Sequence, residues 1–474
     1  MTAMAGAARP SIAVIGAGFS GLMSAIHLLL RSNENGPRVY LIESSEAFGL
    51  GAAYATSSSR HVLNTRAGNM SVFPDRADHF LEWLQAQAGT YGVTAASFIT
   101  RRTYGTYLQS LVRDAACGPH AAGRLYLVPD EAVGLLADPR GGFAVSLKVG
   151  RVLHVDAAIV ATGNSPPHPP QIPDAAFFDS PHYIDDPWAA KAFANVQADD
   201  TVVTLGTGLT MVDVALLLKS RGHRGPIIAI SRRGQIPRSH IASAGPPGLA
   251  APELPPTLSL AVKAVREAVQ AAKRQGGAWQ HVMDALRPVI GGYWQALPGA
   301  DRQRFLRHLR PWWDVHRHRL APQVADRIHK LLAEGMLIVC RGRLVRMTCD
   351  AEPDSFPVTV SWRPAGDSTV YKIGTHVVVN CMGPGGDPVR SRAPLMQSLL
   401  ASGLARPDSL SLGLDVDGQG RLISRSGEIS ARLFALGPPT RGVFWESTAV
   451  PDIRQHAWRL SETVLRALDR LPAA

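Results

Sequence analysis

The chain has 474 residues, of which 46% are hydrophobic, and this predicts two or three folded domains, each with its own core. The formal net charge is +11, but no basic run interleaved with aromatic residues and no nucleic-acid-binding motif accompanies it, so we expect no nucleic acid partner. The four cysteines form neither a CxxC nor a CxxxxC pair, which argues against a zinc site or a redox disulfide and favours a reducing, cytoplasmic setting.

The first motif is a glycine turn between a strand and a helix. A buried strand is predicted at 12–15, and a helix follows the turn. Gly16 allows the tight turn, Gly18 allows backbone to approach a pyrophosphate, and Gly21 allows helix and strand to pack closely. The helix N-terminus would then face the phosphates. The residues expected to touch a dinucleotide are Gly16, Gly18, Phe19, Ser20 and Gly21.

An acid completes this motif. A second strand is predicted at 39–42 and ends on Glu43, about 20 residues past the last glycine, where a carboxylate accepts both ribose hydroxyls. A dinucleotide with a free ribose, FAD or NAD, is therefore implied. The competing interpretation of the apolar run 12–30 is a signal peptide or membrane span. Three glycines, His27 and the lack of a small-residue cleavage site argue against it, so we expect no membrane association.

Residues 48–84 are rich in Gly, Ser and Asn and predict a long ordered loop that leads into a short helix at 77–84. Loops of this length inside a domain are usually functional or disordered. Disorder is not expected, because the segment carries many apolar anchors, namely Phe48, Tyr54, Val62, Leu63, Met70, Phe73 and Trp83. The loop either wraps the reactive ring of the cofactor or is a plain surface loop.

The next stretch ends the first predicted domain. A helix is expected at 101–116 and strands at 125–128, 144–149, 151–155 and 157–161. The last strand ends in Thr162 and Gly163, and five prolines between 166 and 173 then mark a stiff connection. We therefore expect an FAD-binding domain at 1–165 that is completed by a return segment at 384–474, with a second domain at 166–383 between them.

The opening pattern returns at residues 202–233, again as strand, glycine turn, helix and strand. Gly206 and Gly208 hold the first two glycine positions, while Met211 stands at the third. The second strand, at 227–230, ends in Arg232 and Arg233 in place of an acid. Arginines here suit a 2′-phosphate and favour NADPH over NADH, although a solvated basic turn is the alternative. The candidate cofactor contacts are Gly206, Gly208, Leu209, Thr210, Arg232 and Arg233.

The repeat extends further along the chain. The pattern predicts further strands at 337–339, 358–362 and 376–380. The last of them is followed by Cys381-Met382-Gly383, just as the strand at 157–161 in the first copy is followed by Thr162-Gly163. Between the copies lies an Arg-rich helical insert, residues 245–335. Its run 316–319 is either an anion or substrate site or a solvated helix face, and no acid or Cys spacing there suggests a metal site, so we expect no metal. A strand at 433–436, Gly437 and a helix from about 452 close the chain.

Together these motifs resemble the two-dinucleotide-binding flavoproteins, in particular a bacterial FAD-NAD(P)-binding group similar to flavin-containing and N-hydroxylating monooxygenases. The resemblance covers nearly the whole chain. The segments that carry it are GAGFSG (16–21), GAAY (51–54), HVLNTRAGNMSVFPD (61–75), ATG (161–163), GTGLTMVD (206–213), SRRG (231–234) and FWESTAVPDIR (444–454). It departs at Met211 and at Gly437-Pro438, where many FAD domains have Gly-Asp.

The resemblance implies an α/β fold with two Rossmann-like domains, a glutathione-reductase-like FAD domain and an NADP domain, plus the helical insert. It puts Asn64 beside the isoalloxazine as the catalytic side chain, with Met70 and Phe73 packed behind it, and adds Tyr54, Met70, Gly163 and Gly437 to the cofactor contacts. From the order of the elements alone, and not from the resemblance, we expect the terminal helix to point its N-terminus at the pyrimidine end of the flavin and to stabilise the reduced ring.

The expected function is an NADPH-dependent flavin monooxygenase that hydroxylates a small-molecule substrate with molecular oxygen through a flavin hydroperoxide. Two rivals remain open. One is an NAD(P)H oxidoreductase that passes electrons to another acceptor without oxygenation, although the lack of a CxxxxC pair removes its disulfide-reductase version. The other is a non-catalytic flavin-binding protein, which the substitution of glycine by Met211 keeps open.

Overall fold

A computed structural model describes residues 9–56, 58–89, 92–118, 123–189, 191–241, 250–349 and 356–470. Residues 245–249 of the predicted insert and the outer ends of the predicted domains, 1–8 and 471–474, lie outside this range. The strands are β1 Ser11–Ile15, β2 Arg38–Glu43, β3 Leu125–Pro129, β4 Ala132–Ala137, β5 Phe143–Leu147, β6 Val152–Val155, β7 Ala157–Val160, β8 Tyr183–Ile184, β9 Val202–Leu205, β10 Ile227–Ser231, β11 Leu337–Cys349, β12 Val358–Pro364, β13 Tyr371–Thr375, β14 Val377–Asn380, β15 Arg421–Ile423 and β16 Ile429–Ala435. The α-helices are α1 Phe19–Leu30, α2 Gly51–Tyr54, α3 His79–Gln85, α4 Arg101–Cys117, α5 Leu209–Ser220, α6 Leu258–Arg274, α7 Trp279–Ala285, α8 Arg287–Ala296, α9 Gly299–Arg304, α10 Arg310–Arg317, α11 Pro322–Ala333, α12 Pro394–Ala401 and α13 Val450–Leu468.

The chain divides into two compact units. The first comprises Met1–Ser57, Thr65–Ser165 and Gly385–Ala474, and the second comprises Ser58–Asn64 and Pro166–Pro384, as far as these residues are described. The division predicted from the sequence puts residues 58–64 in the first domain, whereas the structure groups them with the second unit.

The first unit contains a sheet with the strand order β15-β16-β7-β1-β2-β3. From β16 to β3 neighbouring strands are parallel, and β15 pairs antiparallel with β16. The apolar strand β7 is buried along its whole length, as expected for a parallel strand covered on both faces. The helix α1 connects β1 to β2, which confirms the βαβ unit predicted at 12–43.

The sheet of the second unit repeats this plan. Its order is β13-β12-β11-β10-β9-β14-β8, and the parallel part β11-β10-β9-β14-β8 matches β3-β2-β1-β7-β16 strand for strand. In both copies a glycine turn and a helix connect the central strand to its neighbour, β1 to β2 and β9 to β10. The predicted internal repeat and the predicted fold class are therefore confirmed.

Antiparallel strands cause the main differences from the predicted elements. The predicted strand at 337–339 is too short, because β11 runs to Cys349 and pairs parallel with β10 first and antiparallel with β12 afterwards. The predicted strand at 144–149 ends at Leu147, because the chain turns there and Gly150 N donates to Leu147 O at 3.0 Å. The sequence pattern predicts no strand at β4, where Gly134 interrupts the apolar run.

The helix α1 is buried from Phe19 to Leu29, because it lies against the sheet and also packs on α13. Burial of each apolar side chain such as Leu22 and Leu28 stabilises the unit by about 2 kcal/mol. At the end of the helix, Arg31 pairs with Glu462 at 3.2 Å and lies over the ring of Trp458. Among the helices in the described part of the chain, none is long and apolar enough to cross a membrane.

Candidate dinucleotide-binding sites

The first glycine turn has the geometry that its spacing predicts. Gly16 has a φ of +94°, and a Cβ built on it would lie 2.6 Å from Ala161 O. A Cβ on Gly21 would lie 1.8 Å from Gly16 O, so only glycine lets α1 approach the turn this closely. Gly18 ends the turn in an extended conformation as the N-cap of α1, where no side chain caps the helix. The free N–H groups of the first helical turn, at Phe19 and Ser20, are therefore available to a phosphate.

Glu43 lies against this turn. Its Oε2 accepts from Ala17 N at 2.9 Å, which ties the carboxylate at the end of β2 to the middle of the glycine turn. The segment after it folds back onto the same turn, because Gly49 N donates to Ala17 O at 2.8 Å. These contacts give a carboxylate and a phosphate-binding turn at one edge of the sheet, the arrangement that an adenosine ribose and its pyrophosphate require.

Two further loops meet at this turn. Gly163 follows β7 with a φ of +73°, and the Cα of its neighbour Thr162 would lie 3.0 Å from a Cβ on Gly16. Gly437 follows β16 with a φ of +79°, and a Cβ on it would lie 2.3 Å from Ser20 Oγ. The structure thus brings the predicted residues Gly16, Ser20, Gly163 and Gly437 together, although they come from three distant parts of the sequence.

The predicted loop at 48–84 is ordered by aromatic contacts and contains the short helix α2, while α3 lies within two residues of the helix predicted at 77–84. The Tyr54 ring packs on Tyr104 at 4.9 Å, and burial raises the pKa of the Tyr54 phenol. Met70 is buried at 2% exposure, and its carbonyl accepts from Tyr104 Oη at 3.0 Å. Phe73 meets His27 of α1 edge to face at 6.1 Å. Tyr54 and Met70 are therefore held by the core of the first unit.

Asn64 belongs to the second unit. Its main-chain oxygen accepts from His240 Nε2 at 2.9 Å, and its side chain is half-buried. His240 lies in a segment that is itself fixed by the insert, because His240 N donates to Leu320 O at 2.9 Å and Gln280 Nε2 donates to Ser239 O at 3.3 Å. The sequence gives no signal for this anchoring role of His240.

The second glycine turn repeats the first with one difference. Gly206 has a φ of +109°, and a Cβ on it would lie 2.4 Å from Cys381 O. In the first turn, a Cβ on Gly16 would meet Ala161 O in the same way. Gly208 caps α5, and nothing lies within 4 Å of a Cβ built on it, which leaves space for a ligand before Leu209 and Thr210. Met211, at the third glycine position, is fully buried within the second unit.

The four cysteines do not form a redox pair. All are free thiols, and Cys381 beside the second glycine turn is buried. Burial raises the pKa of the Cys381 thiol, so the thiol stays protonated. This geometry gives no support to a dithiol that would pass electrons to a disulfide.

Arg232 and Arg233 are exposed at the end of β10, where the second unit has a cavity of about 840 Å³. Both side chains line it, together with residues of β11, β12 and the helical insert. The two predicted arginines therefore line one concave site. This favours the interpretation that they bind a phosphate over the interpretation that they form a solvated basic turn. The contributions of Arg307, Arg341, Arg343 and Arg363 to its lining are not visible in the local sequence pattern.

In the run 316–319 of the insert, His316 and Arg319 contact side chains of α7. The His316 ring meets Trp279 edge to face at 4.8 Å. Arg319 is only 2% exposed, pairs with Asp284 and lies over Trp279 at 5.9 Å. The His316 contact joins α10 to α7, and the contacts of Arg319 tie the residues after α10 to the same helix, which favours a structural role for Arg319.

Comparisons with known proteins agree with this architecture. Residues 13–165 match the sequence profile of a family described as FAD-NAD(P)-binding, whereas no curated protein matches the chain by sequence. The L-lysine 6-monooxygenase from Pseudomonas syringae has a similar structure, with a TM-score of 0.63 at 16% identity over 97% of this chain and 100% of that one. The ornithine N-hydroxylase from Kutzneria sp. 744, whose structure contains reduced FAD, NADP+ and L-ornithine, gives 0.62 at 14% identity over 97% and 99%. A thioredoxin reductase from T. acidophilum gives 0.50 at 11% identity over 96% and 97%.

At these identities the solved structures establish the fold alone. The profile match covers the last three residues of β1, the glycine turn, α1 and β2 with Glu43, and it confirms the predicted dinucleotide-binding domain. Residues 13–165 therefore form an FAD-NAD(P)-binding domain, and the chain has the fold of flavoproteins with two dinucleotide-binding domains.

Proposed function

We propose that the protein is an FAD-dependent, NADPH-using monooxygenase that hydroxylates a small organic substrate with molecular oxygen. The observation that carries this proposal is the different chemistry at the ends of two equivalent strands. In the first unit β2 ends on the carboxylate of Glu43, which suits the free ribose of FAD. In the second unit β10 leads into Arg232 and Arg233 in a cavity, which suits the 2′-phosphate of NADPH.

The residues of each site fit their proposed cofactor. The N–H groups at the start of α1 and the turn at Gly18 would hold the FAD pyrophosphate, and Glu43 would accept its ribose hydroxyls. The turn at Gly208 would hold the NADPH pyrophosphate in the same way. Bound FAD supplies hydride acceptance and oxygen chemistry, which no side chain of a protein can provide.

The role proposed for Asn64 is to donate or accept a hydrogen bond at the reacting centre. Its main chain is fixed by His240, so the amide is presented from an ordered segment at little entropic cost. Among similar structures, the ornithine and lysine enzymes act on amines, and an amine is accordingly the first substrate class to test. We further propose the cytoplasm as its compartment, since all four cysteines are free thiols.

The test is NADPH oxidation by the FAD-loaded protein in the presence of diamines, amino acids and aromatic compounds, with hydrogen peroxide and hydroxylated product measured together. We expect one class to raise NADPH consumption and to yield product. Reduction of a quinone with no hydroxylated product from any class would favour the oxidoreductase without oxygenation. Lack of any NADPH oxidation would favour a non-catalytic flavin-binding protein.

The cofactor assignment has its own measurement. Arg232→Ala with Arg233→Ala should raise the KM for NADPH about tenfold or more while leaving the KM for NADH unchanged, because each charged hydrogen bond to the 2′-phosphate contributes about 1.5–3 kcal/mol. An unchanged ratio of the two KM values would remove the 2′-phosphate assignment.

A further inference from the structure

The cavity beside Arg232 contains more positive charge than a single 2′-phosphate requires. Its lining includes six arginines, one histidine and the single carboxylate of Asp367; the basic members are Arg232, Arg233, Arg307, His308, Arg341, Arg343 and Arg363. The Asp367 carboxylate already accepts from Thr369 N at 2.8 Å and Tyr371 Oη at 3.1 Å. Within the described parts of the chain, no ion pair engages any of the six arginines.

The arginines form two groups along the β11 strand. Arg341 is the register partner of Ser231, and a Cβ on Gly234 would lie 2.8 Å from Arg341 Cβ, so Arg341 belongs with Arg232 and Arg233. Arg343 is two residues further on the same face of the strand, a step of about 7 Å. A second group therefore begins beyond the reach of one phosphate.

The second group is centred on a pair of like charges. Arg343 faces Arg363 directly across the antiparallel β11–β12 pair. Gly342, next to Arg343, lets the two strands close, because a Cβ on it would lie 2.5 Å from the Trp362 ring. Like charges placed opposite each other destabilise a strand pair, and among the described residues neither Arg343 nor Arg363 has an ion-pair partner.

The helical insert adds further basic residues to the lining of this cavity. The α9–α10 connection contains the π-helical turn Phe305–Leu309, whose exposed residues Arg307 and His308 line the same cavity. Turns of this kind are uncommon inside helices and are frequent at functional sites. The arginines therefore come from both the sheet and the helical insert.

We propose that Arg343, Arg363 and Arg307 form a second anion subsite, which binds a phosphate group other than the 2′-phosphate of NADPH. The separation into two subsites rests on the proposed NADPH function, whereas the second subsite itself rests on the Arg343–Arg363 pair. Planar guanidinium groups bind phosphate oxygens in pairs, so the ligand class is a small phosphate-bearing molecule or a free polyphosphate. Binding there is not part of hydride transfer.

The experiment uses the FAD-loaded full chain with saturating NADP+ and measures binding of inorganic pyrophosphate by calorimetry. Arg343→Gln with Arg363→Gln should weaken pyrophosphate binding about tenfold or more and change NADP+ affinity less than about twofold. Arg343→Lys with Arg363→Lys keeps the charge and the fold but loses the planar guanidinium groups that bind phosphate oxygens in pairs. This variant should weaken pyrophosphate binding by a smaller factor. The control is Lys273→Gln with Arg274→Gln, which removes two charges at the exposed end of α6.

Each result separates the two proposals. Pyrophosphate binding that is equal in the Arg343/Arg363 variant and in the control would overturn the second subsite. Complete displacement of pyrophosphate by NADP+ in the unaltered protein would also overturn it, since one shared site would then explain the cavity. If Arg232→Gln with Arg233→Gln leaves NADP+ affinity unchanged while the Arg343/Arg363 variant loses pyrophosphate, the second subsite stands and the NADPH assignment fails.

Discussion

Single glycines decide how closely the first helix approaches the dinucleotide turn. Gly21→Ala would place a methyl group 1.8 Å from Gly16 O, so α1 must move, and we expect a loss of about 2–3 kcal/mol in the free energy of unfolding together with lost FAD. The same change at Gly291 in α8, where nothing lies within 4 Å, should instead stabilise by about 0.5–1 kcal/mol through helix propensity.

Urea unfolding and the flavin-to-protein absorbance ratio measure both effects. Equal losses in the two variants would show that helical glycine, and not the contact with Gly16, governs stability. The roles of Gly16 and Gly21 can be predicted from sequence because a turn and the first helical turn after it are local structures. Arg307, Arg343 and Arg363 cannot, because only strand register and the packing of the insert bring them to one cavity.

At the scale of elements, the segment 58–64 is held by the segment after β10. The bond from His240 Nε2 to Asn64 O is one of the contacts that hold it, beside the edge-to-face contact of His61 with Trp188, and His240→Ala should destabilise the segment by about 1 kcal/mol. We expect hydrogen exchange at 61–64 to accelerate about fivefold and the share of NADPH electrons lost to hydrogen peroxide to rise.

His182→Ala is the matched control, because it removes a similar ring-to-carbonyl bond, from Nδ1 to His376 O at 3.0 Å, elsewhere in the second unit. Peroxide release that rises equally in both variants would remove the link between His240 and Asn64. The sequence motif around Asn64 predicts an ordered functional loop, but it cannot show which unit holds that loop. The hydrogen bond partner is 176 residues away and depends on tertiary packing.

At the scale of the whole molecule, the sequence predicts the two copies of one plan because each glycine turn is flanked by apolar strands of the right length. It does not predict the antiparallel half of β11, where Arg341, Gly342 and Arg343 interrupt the apolar pattern, or the strand β4, which Gly134 interrupts. The Arg cavity lies against this unpredicted half of β11, which explains why the local pattern reveals two of its arginines and not the others.

The two copies should respond separately to the two dinucleotides. In the FAD-loaded protein, NADP+ should slow hydrogen exchange at the second glycine turn, 206–209, and at 231–234, while exchange at 16–21 stays unchanged. NAD+, which lacks the 2′-phosphate, should protect 206–209 but not 231–234, because only the phosphate engages Arg232 and Arg233. Protection of 16–21 by NADP+ after FAD removal, with none at 206–209, would reverse the assignment of cofactors to the two units. Equal protection of 231–234 by NAD+ and NADP+ would show that Arg232 and Arg233 form a solvated basic turn and do not bind the 2′-phosphate.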